Sequence, residues 1–397
     1  MRNDRSTAMS SDPKGANAGD SERRDPDQGI SAPRESDSKR SDPKGSDPKG
    51  SDPAGSDPEG SDPKILLEAV GRRGTVKRPL WIMRQAGRYL PEYRAFRKEH
   101  SFKELAGHAE LATEVTLMPL KRFRLDAAIV FADIMSPLPA IGVDFDFDPG
   151  PVVANPIRSA ADLKNLHEPD SEPGPEVLAT LKAVRAELDP ATALLGFCGA
   201  PWTLAAYLVE GRGVKEFPTL RAFAAAEPEL LDALLGKLSD LMADYLIAQH
   251  AAGADAVQVF DSWAGLLSLA DWERLIEPHL KRLLERVGAA GIPRILFLQN
   301  APHLVDAYAK LPAEVLATDW RLDLGELQRR YPERAVQGNI DPAILLGGAE
   351  VTRTAARELL ERVKPQGHIV NLGHGILPTT PIASVEALIE TVEEEAQ

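Results

Sequence analysis

The sequence predicts an α/β protein, a single (β/α)8 barrel of the TIM type over most of residues 65–397, with its active-site cleft at the carboxyl ends of the strands. Eight short apolar segments have the length and composition of buried strands, and most are bounded by glycine, proline or a carboxylate. Amphipathic segments lie between them, which is typical of strands joined by helical crossovers. Polar residues or glycines follow nearly every segment, and in a barrel these positions meet at one mouth.

The predicted strands are the eight apolar segments in chain order. They cover residues 80–83, 127–131, 194–198, 256–260, 294–298, 314–317, 335–338 and 368–372. An open doubly wound sheet is the alternative arrangement of the same elements. No G-x-G-x-x-G motif follows the first strand, and this weakens the dinucleotide-binding version of that alternative.

Three helices can be predicted from their spacing and end signals. Residues 101–104 read as a capping box that opens a helix toward Leu120. A leucine-rich stripe over residues 230–245 predicts a long helix, which Gly253 stops. A second stripe over residues 272–287 is interrupted by a proline, which breaks helical hydrogen bonding.

Residues 1–63 are predicted to be a disordered, low-complexity tail, and residues 64–397 the catalytic barrel domain. The tail holds eight apolar residues, which are too few to offset the entropy of ordering it. A five-residue unit, SDPKG, recurs from Ser41 onward, and its prolines and glycines favour an extended, turn-rich chain. We interpret the tail as a solvated extension without chemistry; a binding or regulatory arm is the alternative.

Composition and charge argue against several classes of function. The formal net charge of −14 opposes a general nucleic-acid or anionic-membrane binder, so an anionic ligand must meet a locally basic pocket. One cysteine, Cys198, cannot form an internal disulfide or a multi-cysteine metal site, and we expect it to be a small core residue. No apolar run is long enough to span a membrane, and the start lacks the apolar core of a signal peptide; we therefore expect a cytoplasmic location.

The segment over residues 83–97 is the most informative part of the sequence. Its four arginines are Arg84, Arg88, Arg94 and Arg97. A guanidinium group stays charged and grasps carboxylates through paired donors, so the segment is a concentrated anion trap. Gly87 favours a loop in which the backbone approaches a ligand. The alternative is a solvated basic helix face paired with Glu92 and Glu99.

Two polar residues follow predicted strands and can carry chemistry. Asp133 comes after an apolar run, where a carboxylate either caps the next helix or serves as a buried anion that accepts N–H bonds and balances a transient cation. Tyr207 lies six residues after Pro201, on the first turns of the following helix. It is equally a packing residue or an acid and hydrogen-bond donor.

Ser262 and His374 are weaker candidates on spacing alone. Ser262 lacks a G-x-S-x-G elbow, which argues against a serine hydrolase. His374 stands between two glycines and is therefore little shielded by its neighbours, so it is a better site candidate than the histidines in helical surroundings. Residues 144–148 alternate aspartate with phenylalanine; they fit an exposed strand or hairpin arm better than a metal site.

Five motifs follow one another in the order RPLWIMRQAGRYLPEY (78–93), GAPWTL (199–204), FDSWAG (260–265), QGNIDP (337–342) and NLGHG (371–375). Together they give the sequence, from about Ile65 to the carboxyl terminus, a strong resemblance to the uroporphyrinogen decarboxylases of the haem pathway. The resemblance implies a homodimeric (β/α)8 barrel that works without a cofactor or metal. It also implies the reaction: removal of four acetate carboxyl groups from uroporphyrinogen III, giving coproporphyrinogen III and carbon dioxide.

The resemblance also implies roles for residues that the motifs contain or place. Arg84, Arg88 and Arg97 match the family's binding arginines, and Asp133 matches the aspartate that receives the pyrrole N–H groups. The remaining residues expected to contact the substrate are Gln85, Ala86, Gly87, Tyr207, Ser262 and His374.

Arg84, Asp133 and Tyr207 are expected to act in catalysis. Protonation of a pyrrole carbon supplies the electron sink for loss of carbon dioxide, and Asp133 stabilises the cationic ring. Arg84, Tyr207 or a bound water delivers the proton, and the sequence leaves these three alternatives open.

Two stretches depart from the family pattern. The 63-residue extension has no family counterpart and inherits no role. Residues 297–303 differ from the lysine- and glycine-containing stretch expected there, which leaves Gln299, Asn300 and His303 without an assignment.

Two other functions compete with decarboxylation. A corrinoid-linked methyltransferase on the same barrel needs a His/Cys/Cys zinc site, and Cys198 alone cannot supply it. A non-catalytic tetrapyrrole-binding protein would use the same arginines without turning the ligand over.

Overall fold

The computed structural model describes residues 64–73, 77–147 and 150–395, and the predicted disordered tail lies outside these residues. The helices are α1 Ile65–Val70, α2 Pro91–Glu99, α3 Phe102–Gly107, α4 Ala109–Arg122, α5 Ala160–Lys164, α6 Pro175–Glu187, α7 Pro201–Glu210, α8 Pro218–Ala226, α9 Pro228–Ala251, α10 Leu269–Leu275, α11 Glu277–Ala289, α12 Val305–Tyr308, α13 Leu324–Arg330, α14 Ala349–Arg362 and α15 Ile382–Glu394. None of the described helices is both long enough and apolar enough to cross a bilayer.

Two sheets are present in the described residues. The strands are β1 Ala127–Ile129, β2 Phe145–Phe147, β3 Pro151–Val153, β4 Ala193–Gly199, β5 Ala256–Asp261, β6 Arg294–Leu298, β7 Val315–Thr318, β8 Ala335–Ile340 and β9 His368–Leu372. Seven of them form a curled parallel sheet in the order β1-β4-β5-β6-β7-β8-β9, and β2 and β3 form an antiparallel hairpin. The hairpin confirms the prediction for residues 145–147, while Asp148 lies outside the described residues.

The sheet confirms seven of the eight predicted strands and overturns the doubly wound alternative. Its strands follow chain order across the whole sheet, and each pairs in parallel with the next one along the chain. A doubly wound sheet would reverse direction at a switch point, and no reversal occurs here. Every strand therefore directs its carboxyl end, with the residues that follow it, to the same edge of the sheet.

The predicted strand at residues 80–83 is not a regular strand. Leu80 forms only an isolated parallel bridge with Val370 of β9. The Pro79 carbonyl accepts the Val370 N–H at 2.8 Å, and the Leu80 carbonyl accepts the Asp126 N–H at 2.8 Å, just before β1. The Asp126 carboxylate accepts the Leu80 N–H at 2.8 Å. The ladder is irregular because a side chain takes a bond that a neighbouring strand would otherwise make.

A core on the concave side of the sheet is distinct from the core beneath the helices. It contains large residues such as Trp81, Phe297 and Ile369, together with three buried residues of α1. Alanines occupy the first position of β1, β4, β5 and β8, and their small side chains leave room for α1 to pack at the amino ends of the strands. This packing leaves the carboxyl ends as the open edge of the sheet.

The capping box and both apolar stripes correctly predicted helices, but the helix predicted to run from the capping box toward Leu120 ends early. The capping box is present: Ser101 and Glu104 each bond the other's backbone N–H. The helix ends at Gly107, however, and α4 begins at Ala109, because His108 adopts an extended conformation between them. The two apolar stripes are confirmed as α9 and as the pair α10 and α11.

Candidate active site

The open edge of the sheet gathers the loop after residue 83, Asp133, and the segments that follow β4, β5 and β9. These are the strand-end positions that the sequence predicted to meet. Cys198, by contrast, is fully buried, as predicted for a core residue. In the described part of the chain, no three His, Cys, Asp or Glu side chains lie close enough together to share a metal ion.

Arg84 begins the arginine loop in a left-handed backbone conformation, with a φ of 63°. The backbone of Met83, the residue before it, is held at its N–H by β9 and at its carbonyl by the loop after β9. The Met83 N–H donates to Asn371 Oδ1 at 2.9 Å, and the Ile376 N–H donates to the Met83 carbonyl at 2.9 Å. Because left-handed backbone is unfavourable for a non-glycine residue, these bonds fix a conformation that the loop alone would rarely adopt.

The Arg84 side chain is open to solvent on one side and surrounded by protein on the others. Reduced hydration lowers the pKa of the guanidinium, the charges of Tyr207 and Asp133 oppose this, and Arg88 adds to the lowering. An arginine remains charged at neutral pH through such a shift. The group therefore presents a poorly hydrated cation, which favours binding of a carboxylate.

Asp133 has a carboxylate with a raised pKa and, among the described residues, one oxygen without a hydrogen-bond donor, as is typical of a catalytic group. Its Oδ1 accepts the Met135 N–H at 2.9 Å. Within residues 64–73, 77–147 and 150–395, no group donates a hydrogen bond to its Oδ2. Burial raises the pKa of Asp133 to about 6, against the opposing effects of the Met135 N–H and Arg84. The carboxylate is thus charged at neutral pH, with one oxygen free to receive donors.

Tyr207 lies on α7, as predicted, with its side chain half-buried. Burial raises the pKa of the phenol; the indole of Trp263 and the Arg84 charge oppose the rise, and Asp133 adds to it. Its ring packs edge to face on Phe217 with 5.8 Å between the centroids. The hydroxyl therefore stays protonated at neutral pH and held in place, as a hydrogen-bond donor requires.

His374 follows β9 and carries a neutral imidazole at neutral pH. Burial lowers its pKa to about 4, the Arg84 charge lowers it further, and Asp319 and a hydrogen bond to the Gly375 backbone oppose the lowering. These effects place Asp133, Tyr207 and His374 each within electrostatic reach of Arg84, and Asp133 within reach of Tyr207. Four of the predicted site residues are therefore brought together.

Ser262 lies beside this group in the turn after β5, and a buried acid shapes that turn. The Ser262 N–H donates to Thr203 Oγ1 at 3.0 Å, and the Thr203 hydroxyl donates to Asp261 Oδ1 at 2.8 Å. The Ala264 N–H also donates to Asp261 Oδ1, at 3.2 Å. Burial raises the pKa of Asp261 to about 6 against these bonds. Asp261, whose role the sequence did not indicate, positions Ser262 through the backbone.

The other arginines of the loop differ in what they contact. Arg88 is exposed, whereas Arg97 is half-buried and donates to the His100 carbonyl. Arg94 donates to the carbonyls of Arg88 and Tyr89 at 2.9 and 2.8 Å, so it braces the loop itself. These arginines therefore do not form the alternative predicted from the sequence, a basic helix face paired with Glu92 and Glu99.

The small and amide residues of the loop also separate into two kinds. Gln85 is fully buried: its Oε1 accepts the Ile82 N–H at 3.1 Å, and its amide donates to the Ala127 carbonyl at 3.1 Å. Its side chain thus ties the loop to β1 and is not presented at the mouth. Ala86 and Gly87 are half-buried, which leaves their backbone as the part that can meet a ligand.

The residues left without an assignment have internal partners. The Asn300 N–H donates to the buried Asp319 carboxylate at 2.7 Å. The ring of His303 bonds the Leu267 carbonyl at 2.8 Å. Gln299 is half-buried after β6. The His303 side chain and the Asn300 backbone therefore hold loops in place.

The fold and this edge of the sheet define a TIM-barrel-like α/β enzyme with a cationic site at the carboxyl ends of its strands. The family model described as uroporphyrinogen decarboxylase matches residues 62–395. Curated uroporphyrinogen decarboxylases are similar over nearly their whole length. That of Geobacter metallireducens is 41% identical over 83% of this chain and 98% of its own, and that of Carboxydothermus hydrogenoformans is 43% identical over 83% and 95%.

A solved structure supports the fold assignment. A methyltransferase from Methanosarcina mazei superposes with a TM-score of 0.66 over 83% of this chain and 97% of its own, at 19% identity. Likeness at that identity concerns the fold alone. The family match and the curated relatives show that the chain belongs to the uroporphyrinogen decarboxylase family.

Proposed function

We propose that this chain removes the four acetate carboxyl groups of uroporphyrinogen III to give coproporphyrinogen III, as a carboxy-lyase of tetrapyrrole biosynthesis that uses no cofactor. The observation that carries the proposal is the proximity, in a chain of this family, of the Arg84 guanidinium to the Asp133 carboxylate, whose charges shift each other's pKa. A macrocycle with carboxylate arms and central N–H donors is complementary to both groups.

Substrate binding divides between the rim and the centre of the site. Arg84, Arg88 and Arg97 hold the carboxylate arms, since guanidinium groups bind carboxylates with paired, charge-assisted hydrogen bonds. The free oxygen of Asp133 accepts the pyrrole N–H groups. Ser262 and the neutral ring of His374 supply further hydrogen bonds, and the backbone of Ala86 and Gly87 approaches the ligand closely.

Each decarboxylation needs a place for an electron pair. A proton added to the ring carbon adjacent to the one that bears the acetate arm makes the ring cationic. The carbon–carboxylate bond then breaks and carbon dioxide leaves. The electron pair of the broken bond flows into the ring and neutralises it. Protonation of the exposed methylene and loss of the ring proton give the methyl group, so one proton is consumed per carboxyl group. The Asp133 carboxylate stabilises the transient cation in a site of low dielectric.

Three groups can deliver the ring proton: Arg84, Tyr207 and a bound water. Tyr207 is protonated at neutral pH because burial raises its pKa. His374 is poorly suited to this step, since its pKa of about 4 leaves it neutral when the substrate binds. Its ring serves instead as a fixed hydrogen-bonding group.

The proposal extends to architecture and assembly. We propose that residues 64–397 form one catalytic domain whose sheet closes into an eight-stranded barrel, with the segment around Leu80 as the eighth strand. The carbonyls of Pro79 and Leu80 accept hydrogen bonds from Val370 in β9 and from Asp126 just before β1, and these bonds at both edges of the sheet support closure. A cytoplasmic homodimer without nucleic-acid partners stays a prediction, which light scattering of the purified protein tests for the dimer.

The deciding experiment is anaerobic incubation of the purified protein with uroporphyrinogen III, followed by separation of products by their number of carboxyl groups. We expect intermediates with seven to five carboxyl groups and then the four-carboxyl product. Tight binding with only the eight-carboxyl compound recovered would favour the non-catalytic tetrapyrrole-binding alternative. Stoichiometric zinc in the purified protein would favour the methyltransferase alternative.

Deletion of residues 1–60 should leave kcat and KM unchanged within about twofold, because the family match begins at residue 62 and a segment so poor in apolar residues cannot build a folded core. The tail holds eight apolar residues among its 63 and inherits no family role. The full-length and truncated proteins are compared in the same anaerobic assay. A large loss of turnover in a truncated protein that unfolds at the normal temperature would show that the tail contributes to the reaction.

The acid side of the pH profile should report Asp133. Its raised pKa means that the free enzyme loses the carboxylate as pH falls through about 6, so kcat/KM is expected to decline below that value. His374 titrates near 4 and adds nothing in this range, whereas the pKa of Asp261 is also raised to about 6, so the same profile measured on Asp133→Asn separates the two carboxylates. A profile measured from about pH 5 to 8 checks this, and a flat profile would contradict a requirement for the charged form.

A further inference from the structure

We propose that Gly375 and Asn371 are positioning residues that aim the Arg84 guanidinium at the substrate, an inference that rests on the proposed function. Both belong to the NLGHG segment, in which the sequence singled out only His374. Asn371 lies in β9 and Gly375 in the loop that follows, while Arg84 begins a loop almost three hundred residues earlier in the chain. The two residues act on different parts of the arginine.

Asn371 acts on the backbone before Arg84. Its Oδ1 accepts the Met83 N–H at 2.9 Å and the Leu372 N–H at 2.8 Å, while the Ile376 N–H holds the Met83 carbonyl at 2.9 Å. The Met83 peptide is therefore clamped at both ends by one segment. Since Arg84 has a φ of 63°, the direction of its side chain depends on this clamp.

The side chain of Asn371 is not explained by packing alone. It is fully buried, and in the described part of the chain its Nδ2 has no hydrogen-bond partner. A buried donor without a partner lowers stability. The Asn371 amide therefore lowers stability through its Nδ2, which is unpaired among the described residues. We infer that its function lies in Oδ1, which accepts the Met83 N–H.

Gly375 acts on the Arg84 side chain directly. A Cβ at residue 375 would lie 2.7 Å from Arg84 Cγ and 2.9 Å from Nε, and closer still to Cδ. Real Cβ atoms do not approach other heavy atoms this closely, so the aliphatic part of Arg84 lies in the space that the missing side chain leaves. Gly375 does not have a positive φ, so alanine is compatible with its backbone.

Gly375→Ala therefore changes the position of one flexible side chain and leaves the backbone in place. The Arg84 stem must move by about 1 Å to reach ordinary contact distance, and a displacement of that size in a binding group can lower turnover on the order of 100-fold. The effect should appear mainly in kcat if Arg84 acts on the reacting arm, and mainly in KM if it binds a remote one.

A double-mutant cycle tests whether Gly375 acts through Arg84. Gly375→Ala is made in the wild-type chain and in Arg84→Ala, and rates are measured anaerobically with uroporphyrinogen III in single-turnover conditions, so that slow variants are measurable over hours. We expect a loss on the order of 100-fold in the wild-type background and a further loss of about twofold or less in Arg84→Ala. Equal losses in both backgrounds would overturn the proposal.

Asn371 is tested by two replacements of similar size. Asn371→Asp keeps the accepting oxygen and should retain activity within about fivefold, whereas Asn371→Leu removes it and should lose at least about tenfold. Thermal unfolding of each variant separates loss of fold from loss of position. Equal losses of activity in two folded variants would show that Asn371 is not a positioning residue. The double-mutant cycle would still test Gly375.

Gly288→Ala is the matched control. A Cβ there would overlap the Arg294 guanidinium, which lies at the amino end of β6 and bonds the Leu284 carbonyl at 2.7 Å. The variant displaces an arginine in the same manner at the opposite end of the strands, and kcat/KM should be unchanged within about twofold. If the wild-type chain itself fails to decarboxylate uroporphyrinogen, the proposed function fails, and that outcome is distinct from additivity in the cycle.

Discussion

Asp133→Asn is expected to lower kcat for uroporphyrinogen by about 100- to 1000-fold, with a much smaller change in KM. The side-chain oxygen that accepts the Met135 N–H is retained, so the loop keeps its geometry. The negative charge that faces the transient cation is lost, and removal of one preorganised electrostatic partner typically has an effect of this size. The arginines proposed to hold the carboxylate arms are untouched. Anaerobic steady-state and single-turnover kinetics give both parameters.

The same substitution should stabilise the protein at neutral pH. The pKa of Asp133 is raised from 3.8 to about 6, so the folded state binds a proton that the unfolded state has already released. Stability therefore falls as pH rises from about 4 to about 6, by about 3 kcal/mol in full. Asp133→Asn escapes this cost, and its advantage in urea denaturation should be present at about pH 7.5 and absent at about pH 4.

Glu176→Gln is the control for both measurements. Asp133 also borders a pocket of about 500 Å³ that Arg84, Tyr207 and His374 do not line, and Glu176 lies in the wall of that pocket. Glu176 is exposed, so Glu176→Gln removes a negative charge that is nearby but hydrated. Kinetics and stability should both stay close to wild type. Near-normal turnover in Asp133→Asn would overturn the electrostatic role, and unchanged stability would show that burial of the carboxylate is not costly.

The strands were predictable because a buried strand leaves a local signal. Seven short apolar runs, such as residues 294–298, became strands with nearly the predicted ends. The run at residues 80–83 failed for a non-local reason. The side chains of Asp126 and Asn371 take the N–H groups at its two ends, and no local pattern indicates that partners so distant in the chain will replace a ladder. The Ile82 N–H is taken by the side chain of Gln85 in the following loop.

Strand ends also predicted which residues gather, but not which way their side chains turn. Asp133, Tyr207 and His374 lie together because each follows a parallel strand. The arginine loop has no such rule: Arg84 faces the site, whereas Arg94 turns back to bond its own loop. The signal that sequence reasoning passed over was the asparagine within the last apolar strand, since a polar residue in a buried strand needs a partner.

Arg84→Ala is expected to lower kcat/KM by at least about 100-fold, because Arg84 is proposed to hold a substrate carboxylate, and truncation of one partner of a charge pair that becomes buried on binding costs about 2–5 kcal/mol. Arg282→Ala is the matched control: this exposed arginine on α11 pairs with Asp240 at 2.7 Å, and surface pairs contribute about 0–1 kcal/mol. Normal kinetics in the control together with the loss in Arg84→Ala would tie the effect to the site.

A second measurement on Arg84→Ala separates binding from general damage to the site. The Arg84 charge lowers the pKa of His374, so the variant should show a higher His374 pKa in an NMR titration of the histidine ring protons. Burial alone still holds that pKa below its ordinary range, and the increase should therefore be partial. If turnover fell while the His374 titration stayed unchanged, the two side chains would not share one site, and the arrangement of arginine, aspartate and histidine around the macrocycle would have to be revised.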